Sequence, residues 1–147
     1  MESGFKLLRQ IYFLLVIIWG LFLGINTWSE NLGNLLYHQS IVFKWDSSPD
    51  YLSFFNFYDI SKIHQYFIVV KLGHFLGFLI LDLLLFNWLK NHQKALVVSL
   101  IYALLTEVLQ LYFGRDGRLY DLMIDSLGVA VVYFSSKGHL VKRNSTE

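Results

Sequence analysis

The sequence predicts an all-α membrane protein: a bundle of four transmembrane helices, N-in and C-in, with an aromatic-rich outer connector. Three observations carry that prediction. Hydrophobic residues make up 55% of the chain and charged residues only 16%, against about 25% charged in soluble domains. A soluble domain of 147 residues has too much surface to hide so much apolar material. The apolar residues are also gathered into segments close to the roughly 20 residues that a helix needs to cross a bilayer.

The first span runs from Ile11 to about Ile25, lengthened by Leu7 and Leu8, and follows Lys6 and Arg9. A basic start before an apolar run resembles a secretory signal. The continuation Asn26-Thr27-Trp28-Ser29 offers no small-x-small cleavage site, so an uncleaved helix is expected. Ser29 to about Gln65 is a connector with Trp45, Tyr51, Phe54, Phe55, Phe57 and Tyr58, and it holds the single proline, Pro49. Aromatic rings with polar tips favour the headgroup level of a membrane. A short interfacial helix or re-entrant piece is expected near Tyr51 to Ile60, with an ordinary loop as the alternative.

The second span covers about Tyr66 to Leu89 and carries Lys71, His74 and Asp82. At about 100° per residue, His74 lies about 60° from Lys71 and Asp82 within about 20° of it, so all three share a face. Asp82 lies roughly 16 Å further along the axis, which separates it from Lys71; snorkelling to Lys90 or Lys94 would satisfy it. Lys90, His92 and Lys94 form a basic loop, and the third span runs from Ala95 to Phe113. After the turn Gly114-Arg115-Asp116-Gly117-Arg118, the fourth span extends from Leu119 to about Ser136. Its Asp121, Asp125 and Gly128 follow an i, i+4, i+7 stripe. Lys137, Lys142 and Arg143 close the chain in a polar tail.

With the N-terminus in the cytoplasm, Lys6, Arg9, Lys90, Lys94, Lys137, Lys142 and Arg143 lie inside. Lys44, Lys62, Arg115 and Arg118 lie outside. The larger set inside favours this orientation. It places Lys71, His74, Glu107, Gln110, Arg115, Arg118, Asp121 and Asp125 near the outer surface.

The net charge of +1 gives no argument for nucleic acid. Cysteine is absent, which removes disulfides and thiolate chemistry. A single domain spanning 1–147 is the natural reading.

An ionisable side chain inside a bilayer costs about 2.5–3.5 kcal/mol, so it is paired or lines a wet cavity. Lys71, Glu107, Asp121 and Asp125 sit at similar depth on three helices and are expected to turn inward on one another. Lys71 with Arg115 or Arg118 would neutralise the carboxylates, and His74 and Gln110 would bridge. Gly128 permits close helix approach one turn below Asp125. Interhelical glue alone would account for these charges. A substrate site accounts for more of them, because Arg and Lys grip phosphate or carboxylate and a carboxylate beside His can move a proton. A metal site from His74, Glu107, Asp121 and Asp125 is a third possibility, although no ligand spacing such as His-Glu-x-x-His supports it and no metal or cofactor is expected. His38, His64, His92 and His139 read as solvated.

Lys71-x-x-His74-Phe75, Glu107-x-x-Gln110, Gly114-Arg115 and Asp121-x-x-x-Asp125-x-x-Gly128, in this order on apolar segments, resemble the VanZ-like family of small integral membrane proteins. The motif-bearing part is 66–134. The family's eponym is associated with resistance to teicoplanin, a lipid-bearing glycopeptide acting at the cell surface, and its members are mostly bacterial. The resemblance implies a plasma-membrane location and marks Lys71, His74, Glu107, Gln110, Arg115, Asp121 and Asp125 as the motif positions. Val70 and Gly77 stand where the family often has acids, Asp82 where a small residue is usual, and Phe113 where proline precedes the Gly-Arg turn. The missing acids weaken any mechanism that needs a carboxylate beside Lys71.

Two functions follow as expectations. The first is a non-enzymatic envelope factor that lowers access of lipophilic glycopeptides. The second is a membrane-embedded hydrolase or transferase on a lipid-linked phosphate, with Glu107, His74 and Asp121 as catalytic candidates. Lys71, Gln110, Arg115, Arg118 and Asp125 are the binding candidates in either case. The expected partner is a membrane lipid or lipid-linked envelope component.

Overall fold

The computed structural model describes residues 2–29, 41–61 and 65–144. Among them are four long helices: α1 (Glu2–Trp28), α2 (Gln65–Leu89), α3 (His92–Tyr112) and α4 (Leu119–Asn144). Each is long and apolar enough to cross a membrane. In lipid a helix satisfies its own backbone groups, which is why apolar runs of this length take no other form. Between α1 and α2 the described connector carries two short 3-10 helices, Tyr51–Phe55 and Tyr58–Ser61. The expected single helix there is split because the side chains of Asp50 and Asn56 accept backbone N–H bonds from Leu52 and Tyr58, starting a tight turn at each. The readings of His38, Lys62 and His64 fall outside the described residues, as do the side chains of Lys137, His139, Lys142 and Arg143.

The helix bounds differ from the expected ones at two places. α3 starts at His92 rather than Ala95 because Asn91 caps it, its side chain accepting the Lys94 N–H at 2.9 Å. The basic loop therefore shrinks to a two-residue turn, and His92 is not a solvated loop residue: its ring stacks on Phe86 at 3.8 Å. The backbone of α4 also stays helical to Asn144, through the segment expected to be a polar tail.

α2 and α3 form the centre of the bundle. α1 packs against both, and α4 packs against both on another side. The core is built by Leu23, Phe78, Leu81, Leu85, Ala95, Ala103 and Val129. Gly128 meets α2 where a Cβ would strike the Phe75 carbonyl and the Leu79 nitrogen, so only glycine lets the two backbones come this close. α1 is held more loosely. Trp19 donates its indole N–H to the Gly77 carbonyl at 2.9 Å, and Tyr102 donates to the Gly20 carbonyl at 2.5 Å. Most other α1 side chains face outward, among them Leu8, Leu14, Ile18 and Leu21.

Asp82 does not snorkel. It is buried and accepts the Ser99 hydroxyl at 2.8 Å across the α2–α3 hairpin. That bond ties the end of the bundle away from the charged cluster.

Candidate functional site

The charged positions converge at the end of the bundle where α3 turns into α4. Lys71 and His74 lie one turn apart on α2, and Asp121 and Asp125 one turn apart on α4, so two pairs form in register. The Lys71 ammonium lies 2.7 and 2.8 Å from the two oxygens of Asp121. It also sits over the rings of Phe67 and Tyr120, 4.8 Å from each centroid, where aromatic faces replace part of its hydration. One turn on, His74 Nδ1 and Asp125 Oδ1 hydrogen-bond at 3.1 Å.

Glu107 enters from α3. Its Oε1 is 3.8 Å from His74 Nδ1 and accepts the Gln110 amide at 3.0 Å. Its Oε2 accepts the backbone N–H of Arg118 at 3.0 Å. That N–H lies just ahead of α4, where the free amides of a helix start favour an anion. Glu107 and Asp125 are both fully buried.

The turn is shaped by Gly117, whose missing side chain leaves room for the Glu107 carbonyl; a Cβ there would strike it. Arg118 donates to the Ser53 carbonyl at 2.5 Å and pairs with Asp116 at 3.0 Å. Arg115 donates to the Ser29 carbonyl at 2.6 Å. Of the groups expected to neutralise the carboxylates, Lys71 does so at Asp121, and Arg118 also meets Glu107 through its backbone N–H.

Beside the cluster lies a cavity of about 240 Å³ between α1 and α2. Its walls are largely apolar, with Phe22, Leu23, Val69 and Phe78, and His74 and Arg115 are among its lining residues. No sequence pattern pointed to this cavity, because it depends on how far α1 stands from α2. The described connector lies against the same end of the bundle. Trp45 stacks on Tyr112, Phe43 and Trp45 meet Phe113, and Phe57 meets Tyr120. The Tyr51 and Tyr112 hydroxyls are 2.7 Å apart, and that hydrogen bond raises the Tyr51 phenol above its ordinary value.

Comparison with known proteins adds the family. Residues 10–141 match the sequence model of VanZ/LLP1. The chain belongs to the VanZ/LLP1 family.

A relative from Bacillus subtilis (strain 168), described as the uncharacterized membrane protein YwnJ, is 32% identical over 122 residues. The match covers 82% of this chain and 86% of that protein. No solved structure matches. The VanZ/LLP1 match extends well beyond the 66–134 segment and takes in most of α1, the helix that forms one wall of the cavity.

Of the candidate residues, the structure brings together Lys71, His74, Glu107, Gln110, Asp121 and Asp125. Arg118 meets the cluster through its backbone, and Arg115 through the cavity it shares with His74. Such an arrangement can hold an anionic head beside an apolar chain. A carboxylate-held imidazole can also orient a proton for transfer.

Proposed function

We propose that this multi-pass VanZ/LLP1 protein binds the anionic head of a lipid-linked envelope component at Arg115, beside the charged cluster, with the attached chain in the α1–α2 cavity. Binding of this kind would modify the cell surface and lower the access of lipid-bearing glycopeptides of the teicoplanin type. The observation that carries the reading is the position of His74. It belongs both to the ion-paired cluster and to the wall of a largely apolar cavity that Arg115 also lines. A guanidinium grips phosphate with two parallel hydrogen bonds, and an apolar wall suits an acyl or prenyl chain. With α1 starting in the cytoplasm, as Lys6, Arg9, Lys90 and Lys94 favour, this end of the bundle faces the outer leaflet.

The test is protection of a susceptible bacterium against teicoplanin, with a glycopeptide lacking a lipid tail as comparator. Gly73 lines the cavity and has open space where a side chain would go. Gly73→Leu fills the cavity, and Arg115→Gln removes its charge. Both variants, inserted at wild-type level, lose protection against the lipid-bearing drug. Full protection from both sinks the reading.

The His74–Asp125 bond favours a second reading. A carboxylate on one ring nitrogen orients the imidazole for acid–base work, which suits a hydrolase or transferase on a lipid-linked phosphate. Envelope lipids extracted with and without the protein decide it: a changed phosphate-bearing species supports chemistry, and identical profiles count against it.

A further inference from the structure

We infer that His74, Glu107 and Asp125 form a binding site for a divalent transition-metal cation of the zinc or manganese kind. Each offers a ligand atom, and the three atoms lie within 4.8 Å of one another, on three different helices. Individual separations from His74 Nδ1 are 3.1 Å to Asp125 and 3.8 Å to Glu107. Ligands about 2.1 Å from a shared ion lie about 3.0–3.5 Å apart, so closure on the order of 1 Å brings the set to bonding geometry.

Two further observations point to a cation. Asp125 is fully buried, and its Oδ2 has no hydrogen-bond partner among the described residues. Since Oδ1 of the same carboxylate meets His74, the unmatched oxygen lies at the cluster itself. A buried oxygen without a donor is costly unless something positive reaches it. Charge gives the second observation. Within the cluster three carboxylates, from Glu107, Asp121 and Asp125, face the ammonium of Lys71, which is engaged with Asp121. In the deprotonated state that ligands adopt, with His74 neutral, two negative charges remain, and a divalent ion matches them.

Imidazole nitrogen with carboxylate oxygens suits zinc or manganese better than magnesium or calcium, which favour all-oxygen sites. Glu107 is also braced as a metal ligand is: Gln110 holds one oxygen and the Arg118 N–H the other. The absence of a short ligand motif is no obstacle, because the ligands come from separate helices and helix packing sets their spacing. The inference does not rest on lipid binding; a metal site can exist whether or not the cavity takes a lipid.

The experiment measures metal content of the purified full chain in detergent, from cells grown with zinc and manganese. About one ion per chain is expected for the wild type, and under a tenth of that for Asp125→Asn and His74→Gln. Asp116→Asn, which removes an exposed carboxylate outside the set, retains it. After chelation, zinc or manganese raises the melting temperature of the wild-type protein, and magnesium at the same concentration does not. Gln110→Ala weakens the affinity about 10–100-fold, as expected for a group that orients a ligand. A folded wild-type protein that holds no metal above the Asp125→Asn level, and melts at the same temperature with or without either ion, overturns the inference. Metal content in His74→Gln and Asp125→Asn equal to that of the wild type overturns it as well.

Discussion

The ammonium of Lys71 and the carboxylate of Asp121, 50 residues apart in the chain, meet at 2.7–2.8 Å where α2 crosses α4. Such a pair is weakly stabilising while whole and strongly destabilising when one partner is lost, because the survivor is stranded away from water. Lys71→Met and Asp121→Leu are each expected to cost about 3 kcal/mol. The double variant should recover about 1–3 kcal/mol of the summed loss. Detergent unfolding of all four proteins, followed by circular dichroism, measures the coupling. Strictly additive losses would show that the pair contributes nothing.

Gly128 and Gly73 make an internal comparison. Gly128→Ala drives a Cβ into the α2 backbone at Phe75, which cannot move aside as a side chain can, and is expected to cost about 3 kcal/mol. Gly73→Ala meets nothing and is expected to be neutral or to gain up to about 1 kcal/mol from helix propensity. The same unfolding assay reads both. Equal effects would mean that α2 and α4 are not in contact at Gly128.

Arg118 has two separable roles. Its side chain holds the connector through the Ser53 carbonyl, and its backbone N–H holds Glu107. Arg118→Ala should therefore speed amide exchange across 50–56 and leave exchange in the middle of α3 unchanged. Hydrogen-exchange mass spectrometry tests this. Equal loosening of α3 would show that the guanidinium supports Glu107 as well.

The four spans could be read from the sequence because apolar runs bounded by turns leave few alternatives. The inward stripes were legible for a related reason: Lys71 and His74, and Asp121, Asp125 and Gly128, repeat at helical spacing, and charges in lipid must face protein. The arginines were not legible in the same way. Their direction depends on the turn geometry set by Gly117, and a charge count cannot tell a guanidinium from the backbone N–H behind it. Asp82 is met by Ser99 rather than by the nearby lysines, and a lone serine inside an apolar run carries little signal of its own. Pairing depths across the α2–α3 hairpin would have brought the two together. His74, Glu107 and Asp125 were legible as a possible ligand set together with Asp121, which the structure pairs with Lys71 instead.

Ser99→Ala removes the donor to the buried Asp82 and should cost about 1–3 kcal/mol. Because that bond lies at the other end of the bundle, metal content and glycopeptide protection should stay at wild-type values once insertion is matched. Loss of either would couple the two ends of the protein. The comparison needs only a stability curve and the two assays already described.

The two aspartates of α4 make it the least apolar of the four spans. Ribosomes deliver Lys71 and His74 to the bilayer before these acids are made, with Glu107 between them. The last helix therefore enters a membrane where its counter-charges already wait, and its topogenesis leans on neighbours synthesised earlier. A chain halted after Tyr112 would leave Lys71 without Asp121 and Glu107 without the Arg118 N–H.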